Sequence, residues 1–259
     1  MSSIIRPEWV KKRVLIVVKT YPNPSMQYQE TVCTAGITDN GNWIRLYPVT
    51  YRHLPYDQQY KKYDWIELKT RRRTKDYRIE SHTPDIDSIK VVGNCSTKNK
   101  WAERKEIVLP LVKKSLEEII SLYDSKGVSL GIFKPKEILD FYWKEDDQHW
   151  SPKHEAVLNE IRLFGSTPKR LEKIPWQFRY KFMCNDPRCS GHDLSIIDWE
   201  IYQAYRKWRY QYDRCTLMQK IKEQWLGKIC SPNRDTYFIV GNKFRTKSFM
   251  VLGVFYPPK

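Results

Sequence analysis

The chain has 259 residues, 41% hydrophobic and 29% charged, proportions that suit a folded, well-solvated protein with a real core. Forty-six Lys and Arg against thirty Asp and Glu leave a formal charge of +16, and Trp, Tyr and Phe supply 14% of the residues. No run approaches the ~18 consecutive apolar residues of a membrane span, and residues 1–7 lack the apolar core of a secretory signal. Six irregularly spaced cysteines exclude a secreted disulfide framework. The expected compartment is the cytoplasm, with the thiols reduced or holding metal.

In chain order, the apolar β-branched run from Arg13 to Thr20 predicts a buried strand closed by the turn at residues 21–25. A second strand is predicted from Glu30 to Gly36 and a third from Trp43 to Tyr47, joined by a turn at residues 39–42. In the third, Trp43, Arg45 and Tyr47 share one face, and Ile44 and Leu46 the other. Further strands are expected at Trp65–Thr70, Tyr77–Ser81 and Ser88–Val92. Helical spacing then covers Lys100–Val112 and Ser115–Tyr123, with Lys126-Gly127 as a stop. Strand character returns at Val128–Phe133, Glu137–Trp143 and Trp176–Met183, with a polar loop at residues 144–154 and a short helix from His154 to Leu163 between the last two. Helices from Ile196 to Tyr212 and from Thr216 to Ile229 lead to a hairpin, Thr236–Val240 and Phe249–Phe255, turning through residues 241–243.

Excess positive charge speaks of partners, and a polyanion is the obvious one; flat aromatic faces beside cations suit stacked bases. Lys61, Lys62, Lys69, Arg71, Arg72, Arg73, Lys75 and Arg78, interleaved with Tyr60, Tyr63, Trp65 and Tyr77, exceed what a solvated face requires. The Trp43, Arg45 and Tyr47 strip could stack bases and contact phosphate, or simply cover a barrel rim.

Val17-Val18-Lys19-Thr20, then Cys33-Thr34-Ala35-Gly36-Ile37, then Gly41-Asn42-Trp43-Ile44-Arg45 resemble the dual OB-containing domain family of predicted prokaryotic nucleic-acid modification and phage-conflict proteins. The resemblance is densest over Arg13 to Thr70. It implies two small barrels, a role in nucleic-acid binding or antiviral defence, and places Lys19, Cys33 and Arg45 in the family's pattern. It brings no enzymatic residue.

Cys184, Cys189 and His192 form a Cys-x4-Cys-x2-His set on a turn made by Asp186-Pro187 and Ser190-Gly191, donors and geometry that suit Zn2+. A fourth ligand could come from Cys215, Cys230 or a distant cysteine. The alternative is a pair of reduced thiols and a packed histidine. Asp198 and Glu200 flank Trp199 where a helix should begin. With His192 they are candidate catalytic residues of a metal-dependent nuclease, and they equally suit the positive end of a helix dipole. No phosphate-cradling glycine loop or G-x-S-x-G elbow is present.

The reading is an α+β protein: small OB-type β-barrels, then a C-terminal helical segment with a terminal β-hairpin. The divisions are residues 1–95 as a first OB-like unit, 96–183 as a helical connection and second OB-like unit, and 184–259 as metal knuckle, two helices and hairpin. The leading function is binding of RNA or DNA through Lys19, Trp43, Arg45, Tyr47, Lys61, Lys62, Arg71, Arg72, Arg73 and Lys75. The competing classes are the nuclease and a subunit that meets other proteins in a larger ribonucleoprotein or defence assembly.

Overall fold

Strand β1 (Val10–Lys19) is buried from Val14 onward on both of its faces, and the architecture follows from that. In the computed structural model, which describes residues 7–160 and 168–259, it pairs antiparallel with β2 (Thr34–Thr38) through its C-terminal half. Its N-terminal half pairs with β4 (Asp64–Arg72), from Val10 opposite Thr70 to Leu15 opposite Trp65. β3 (Trp43–Leu46) continues the meander from β2, and β5 (Ser81–Pro84) lies parallel to β3 and antiparallel to β4. The order β1-β2-β3-β5-β4, returning to β1, is a closed five-stranded barrel, with β6 (Lys90–Asn94) added outside on β4.

Alternation explains the two faces of β1. Val14 and Ile16 point into the barrel with Ile44, Leu46, Ile66 and Leu68. Leu15 and Val17 point outward, where Ile132, Ile239, Leu252 and Phe255 of the C-terminal half cover them. A strand covered on both sides reads as a continuous apolar run, as Val14 to Val18 does. Gly36 lets β2 cross β1 closely: a Cβ there would fall 2.4 Å from the Leu15 carbonyl oxygen.

Helix α1 (Lys98–Val108) opens with Asn99, Lys100 and Trp101 at positive φ, which turns the Trp101 ring toward Tyr63 and the Arg104 guanidinium. Helix α2 (Leu116–Lys126) starts at Ser115, whose hydroxyl accepts the Glu118 N–H, and stops at Gly127 in the left-handed region, as its sequence predicts. A four-stranded sheet joins β7 (Val112–Lys113), β8 (Leu130–Phe133), β12 (Tyr237–Asn242) and β13 (Phe249–Phe255). A three-stranded sheet joins β9 (Glu137–Glu145), β10 (Trp176–Met183) and β11 (His192–Ser195). Phe133, Phe141, Phe178, Tyr180, Phe182 and Phe238 fill the space between these sheets and helices α4 (Trp199–Trp208) and α5 (Arg214–Lys222). Helix α3 is Pro152–Leu158; of the rest of the helix expected there, residues 159–160 are not helical and residues 161–163 lie outside the described residues.

The fold is thus mixed α+β with one closed barrel among the described residues; the strands after it form open sheets. The final hairpin is no appendage, because β12 pairs with β8 as well as with β13. The strand expected at Tyr77–Ser81 is instead a turn. The Asp76 carboxylate accepts from the Arg78 backbone N–H (3.1 Å) and the Ser81 hydroxyl (2.8 Å), which holds the chain back until β5 begins at Ser81. Helix α4 begins at Trp199, three residues later than expected, because Ile196 forms a bridge to Val251 and Asp198 is the N-cap. No helix of the described residues is long and apolar enough to cross a membrane.

Candidate functional site

At one end of the barrel a cleft of about 480 Å3 separates it from the C-terminal hairpin. One wall comes from the connection between β1 and β2 (Thr20, Asn23, Cys33), the residue after β3 (Tyr47) and the connection between β4 and β5 (Arg73, Lys75, Asp76, Arg78). The other comes from the hairpin: Asn242, Lys243, Phe244 and Arg245 at its turn, with Met250 and Leu252 of β13 and Ile197 below them.

The lining is cationic. Arg45, Arg73, Lys75, Arg78, Lys243 and Arg245 face it, against the single carboxylate of Asp76. That carboxylate is already engaged, with Arg78 Nη2 at 2.6 Å and the Ser81 hydroxyl at 2.8 Å. Burial opposes its ionisation, but the hydrogen bonds from Arg78 and Ser81 outweigh burial and hold it below the usual carboxylate range. Among the described residues no carboxylate pairs with Lys75, Lys243 or Arg245. The guanidinium of Arg73 lies 5.1 Å from the Tyr47 ring centroid, and those of Arg78 and Arg245 each lie 5.1 Å from that of Phe244. Such pairs present both a π-face and a charge.

Arg45 is the least exposed of these cations at 3%, so Trp43, Arg45 and Tyr47 do not present a continuous strip on β3. Its Nη1 donates to Cys33 Sγ (3.1 Å) and its Nη2 to the Ser129 carbonyl (3.2 Å), while its buried Nε has no partner. Trp43 packs against the apolar core between the barrel and the C-terminal half, and Tyr47 alone of the three presents its ring beside an arginine of the cleft.

The basic run is divided by the fold. Arg73, Lys75 and Arg78 enter the cleft. Arg71 covers Trp9 at 4.7 Å, and Arg72 Nη1 donates to the Ser81 carbonyl (2.7 Å), bracing the turn before β5. Lys61 is exposed, but the Lys62 ammonium is buried between Asp198 Oδ2 (2.9 Å) and Glu200 Oε2 (3.1 Å). Burial disfavours that ammonium, yet Asp198 and Glu200 prevail and raise its pKa above the ordinary lysine value. Burial pushes the Asp198 carboxyl up to about 6 against the pull of Lys62. Asp198 also caps α4 through the Glu200 N–H (3.1 Å). Lys19 is buried beside the Tyr51 and Trp199 rings (4.1 and 4.7 Å) and donates to the Tyr60 carbonyl (3.3 Å). With Lys61, Lys62, Arg104 and Trp101 it lines a second cleft of about 490 Å3. Asp198 and Glu200 therefore meet each other at Lys62, and His192 is elsewhere.

His192 belongs to a separate cluster. Its Nε2 lies 2.7 Å from Glu117 Oε1, and one ligand-type atom from each of Glu117, Cys184, Cys189 and His192 lies within 4.8 Å of every other. The Cys184 N–H donates to Cys189 Sγ (3.1 Å), as a turn wrapped around a thiolate would. Burial pushes the Cys184 thiol up to about 12, a cost that a bound cation would remove. The fourth member is Glu117 of α2, not a cysteine: Cys215 is exposed, and Cys230 is bonded to the Trp225 carbonyl. The cluster is compatible with a metal site.

A closed five-stranded barrel docked on a mixed sheet-and-helix unit, with a cationic, aromatic cleft where they meet, defines the class. Residues 112–259, more than half of the chain, match Domain of unknown function (DUF8757), and the chain belongs to that family. Residues 10–110, the barrel and α1, match Domain of unknown function (DUF8758). No curated protein matches the chain.

Proposed function

We propose that the protein binds single-stranded nucleic acid, RNA or DNA, in the cleft between the barrel and the C-terminal hairpin. The observation that carries this is six cations and two guanidinium-stacked rings around one cavity whose only carboxylate is already neutralised. Phosphates supply the missing negative charge, and unstacked bases use the rings. The barrel is read as OB-type. Its strands β4-β1-β2-β3 lie in Greek-key order, β5 closes the ring between β3 and β4, and the cleft lies at the β1–β2 and β4–β5 connections. Those are the connections through which OB barrels hold oligonucleotides.

In this reading Zn2+ occupies the Glu117, Cys184, Cys189 and His192 cluster. Two thiols, an imidazole and a carboxylate are a four-donor set that zinc accepts, and Glu117 Oε2, buried without a hydrogen-bond partner, awaits such a charge. All four positions are protein side chains, so the ion is structural and ties α2 to the turn between β10 and β11.

The test of the binding site is ultraviolet cross-linking of a short single-stranded oligonucleotide, followed by mass spectrometry of the adducts. The expected adducts lie on peptides that carry Tyr47, Phe244 or Cys33. Efficient adducts confined to other surfaces would contradict the assignment.

A further inference from the structure

We infer that the cleft takes a single nucleotide, base inward against the Tyr47 and Phe244 rings and phosphate on Lys75, Lys243 and Arg245. The inference rests on the nucleic-acid reading and narrows it from a strand to one unit of a strand. Three observations on the cavity converge on that ligand.

The first is its extent. About 480 Å3 is the volume of a small-molecule site. Residues of the hairpin turn and of the barrel connections line it together, a lining that suits a compact group.

The second is the division of its lining. Ile197, Met250 and Leu252 make an apolar floor, and the uncommitted cations stand on the turn and connections around it. A ligand with a flat, weakly polar body and an anionic end matches both parts. A bare phosphate would leave the floor empty.

The third is a pair of unmet hydrogen-bonding atoms among the residues that line the cavity. Arg45 Nε is a donor without an acceptor, and Asn242 Oδ1 is an acceptor without a donor; their residues are 3% and 2% exposed. The remaining atoms of both side chains are engaged: Arg45 with Cys33 and Ser129, and the Asn242 amide with the Thr246 carbonyl at 2.9 Å. The edge of a nucleobase carries both acceptors and donors, the two kinds of group that these atoms lack. Phosphate answers only the donor, and a hydrocarbon chain answers neither.

Cys33 Sγ in the wall makes occupancy measurable. The rate of its alkylation by iodoacetamide is followed by peptide mass spectrometry, with exposed Cys215 as the internal control. The probes are the four nucleoside 5′-monophosphates, inorganic phosphate, and a short single-stranded oligonucleotide with and without abasic sites. At about ten times Kd, occupancy slows Cys33 alkylation by about tenfold and leaves Cys215 unchanged. Inorganic phosphate at the same concentration gives no protection, and Phe244→Ala removes the protection that nucleotides give. Protection by monophosphates identifies a free nucleotide as the source. Protection by the intact oligonucleotide alone identifies a nucleotide turned out of a strand. An oligonucleotide that binds, by fluorescence anisotropy, while Cys33 reacts at its free rate would overturn the inference and leave nucleic-acid binding standing. Equal protection by the abasic oligonucleotide would do the same. An oligonucleotide that does not bind would overturn the strand-binding reading, and no protection by monophosphates beside it would overturn the inference as well.

Discussion

Lys19 holds its ammonium between the Tyr51 and Trp199 rings, and burial lowers its pKa to about 8 against the opposing pull of Glu200; Lys62 lowers it further, and Asp198 and Asp64 raise it. An unfolded chain keeps that lysine protonated up to the ordinary lysine value of 10.5, so between these values the unfolded state binds more protons. The contribution of Lys19 to stability therefore grows as pH rises through that window. Lys19→Met removes the titration. The stability difference, wild type minus Lys19→Met, should grow by about 2 kcal/mol between pH ~7 and pH ~9.5, as measured by urea denaturation. A difference independent of pH would mean that the ammonium keeps its water. At this scale the sequence marks which side chains are cationic and aromatic, and little more. Whether a cation is buried depends on partners far along the chain. Lys62 meets Asp198 across 136 positions and Arg45 meets Ser129 across 84, and no spacing rule reaches that far.

Strands and helices were the most legible level, because alternation, caps and stops are local. The β10 strand occupies Trp176–Met183 as its alternation predicts, and α2 stops at Gly127. Elements were displaced where a side chain competes with the backbone, as Asp76 does before β5. The Glu, Cys, Cys, His cluster was three-quarters visible, since Cys184, Cys189 and His192 are neighbours in sequence; Glu117, on α2, gave no local signal. Two outcomes test this level. Protein prepared in zinc-containing medium should carry about one equivalent of Zn2+, and Cys184→Ser with Cys189→Ser should lose it and melt lower. Glu117→Gln should retain the fold but release zinc to a chelator faster. Metal-free protein with wild-type stability would favour packed thiols. Glu80 bridges the barrel to β8, accepting from the Ser129 N–H (2.8 Å) and hydroxyl (2.9 Å). Glu80→Ala leaves those buried donors unmet and should cost about 2–3 kcal/mol in urea denaturation; a cost below about 0.5 kcal/mol would mean that the docking does not depend on it.

The net charge of +16 is a property of the whole molecule, and it raises the expectation of a polyanion without locating a site for one. The fold does two things that composition cannot. It leaves Arg71 and Arg72 outside the cleft and pairs Lys62 with Asp198, and it brings Lys243, Phe244 and Arg245 of a distant hairpin turn into one lining with Arg73 and Lys75. Barrel closure was equally out of reach, because the β1–β4 pairing joins Val10 to Thr70. The most direct test of the central claim is the salt dependence of affinity for a fluorescent single-stranded oligonucleotide, compared between the wild type and Lys75→Ala/Lys243→Ala/Arg245→Ala. Each phosphate neutralised adds about 0.7 to the log–log slope for a single strand, so the triple variant should bind more weakly with a slope shallower by up to about 2. Equal affinity and equal slope in the folded variant would contradict the account and remove this cleft from the interface.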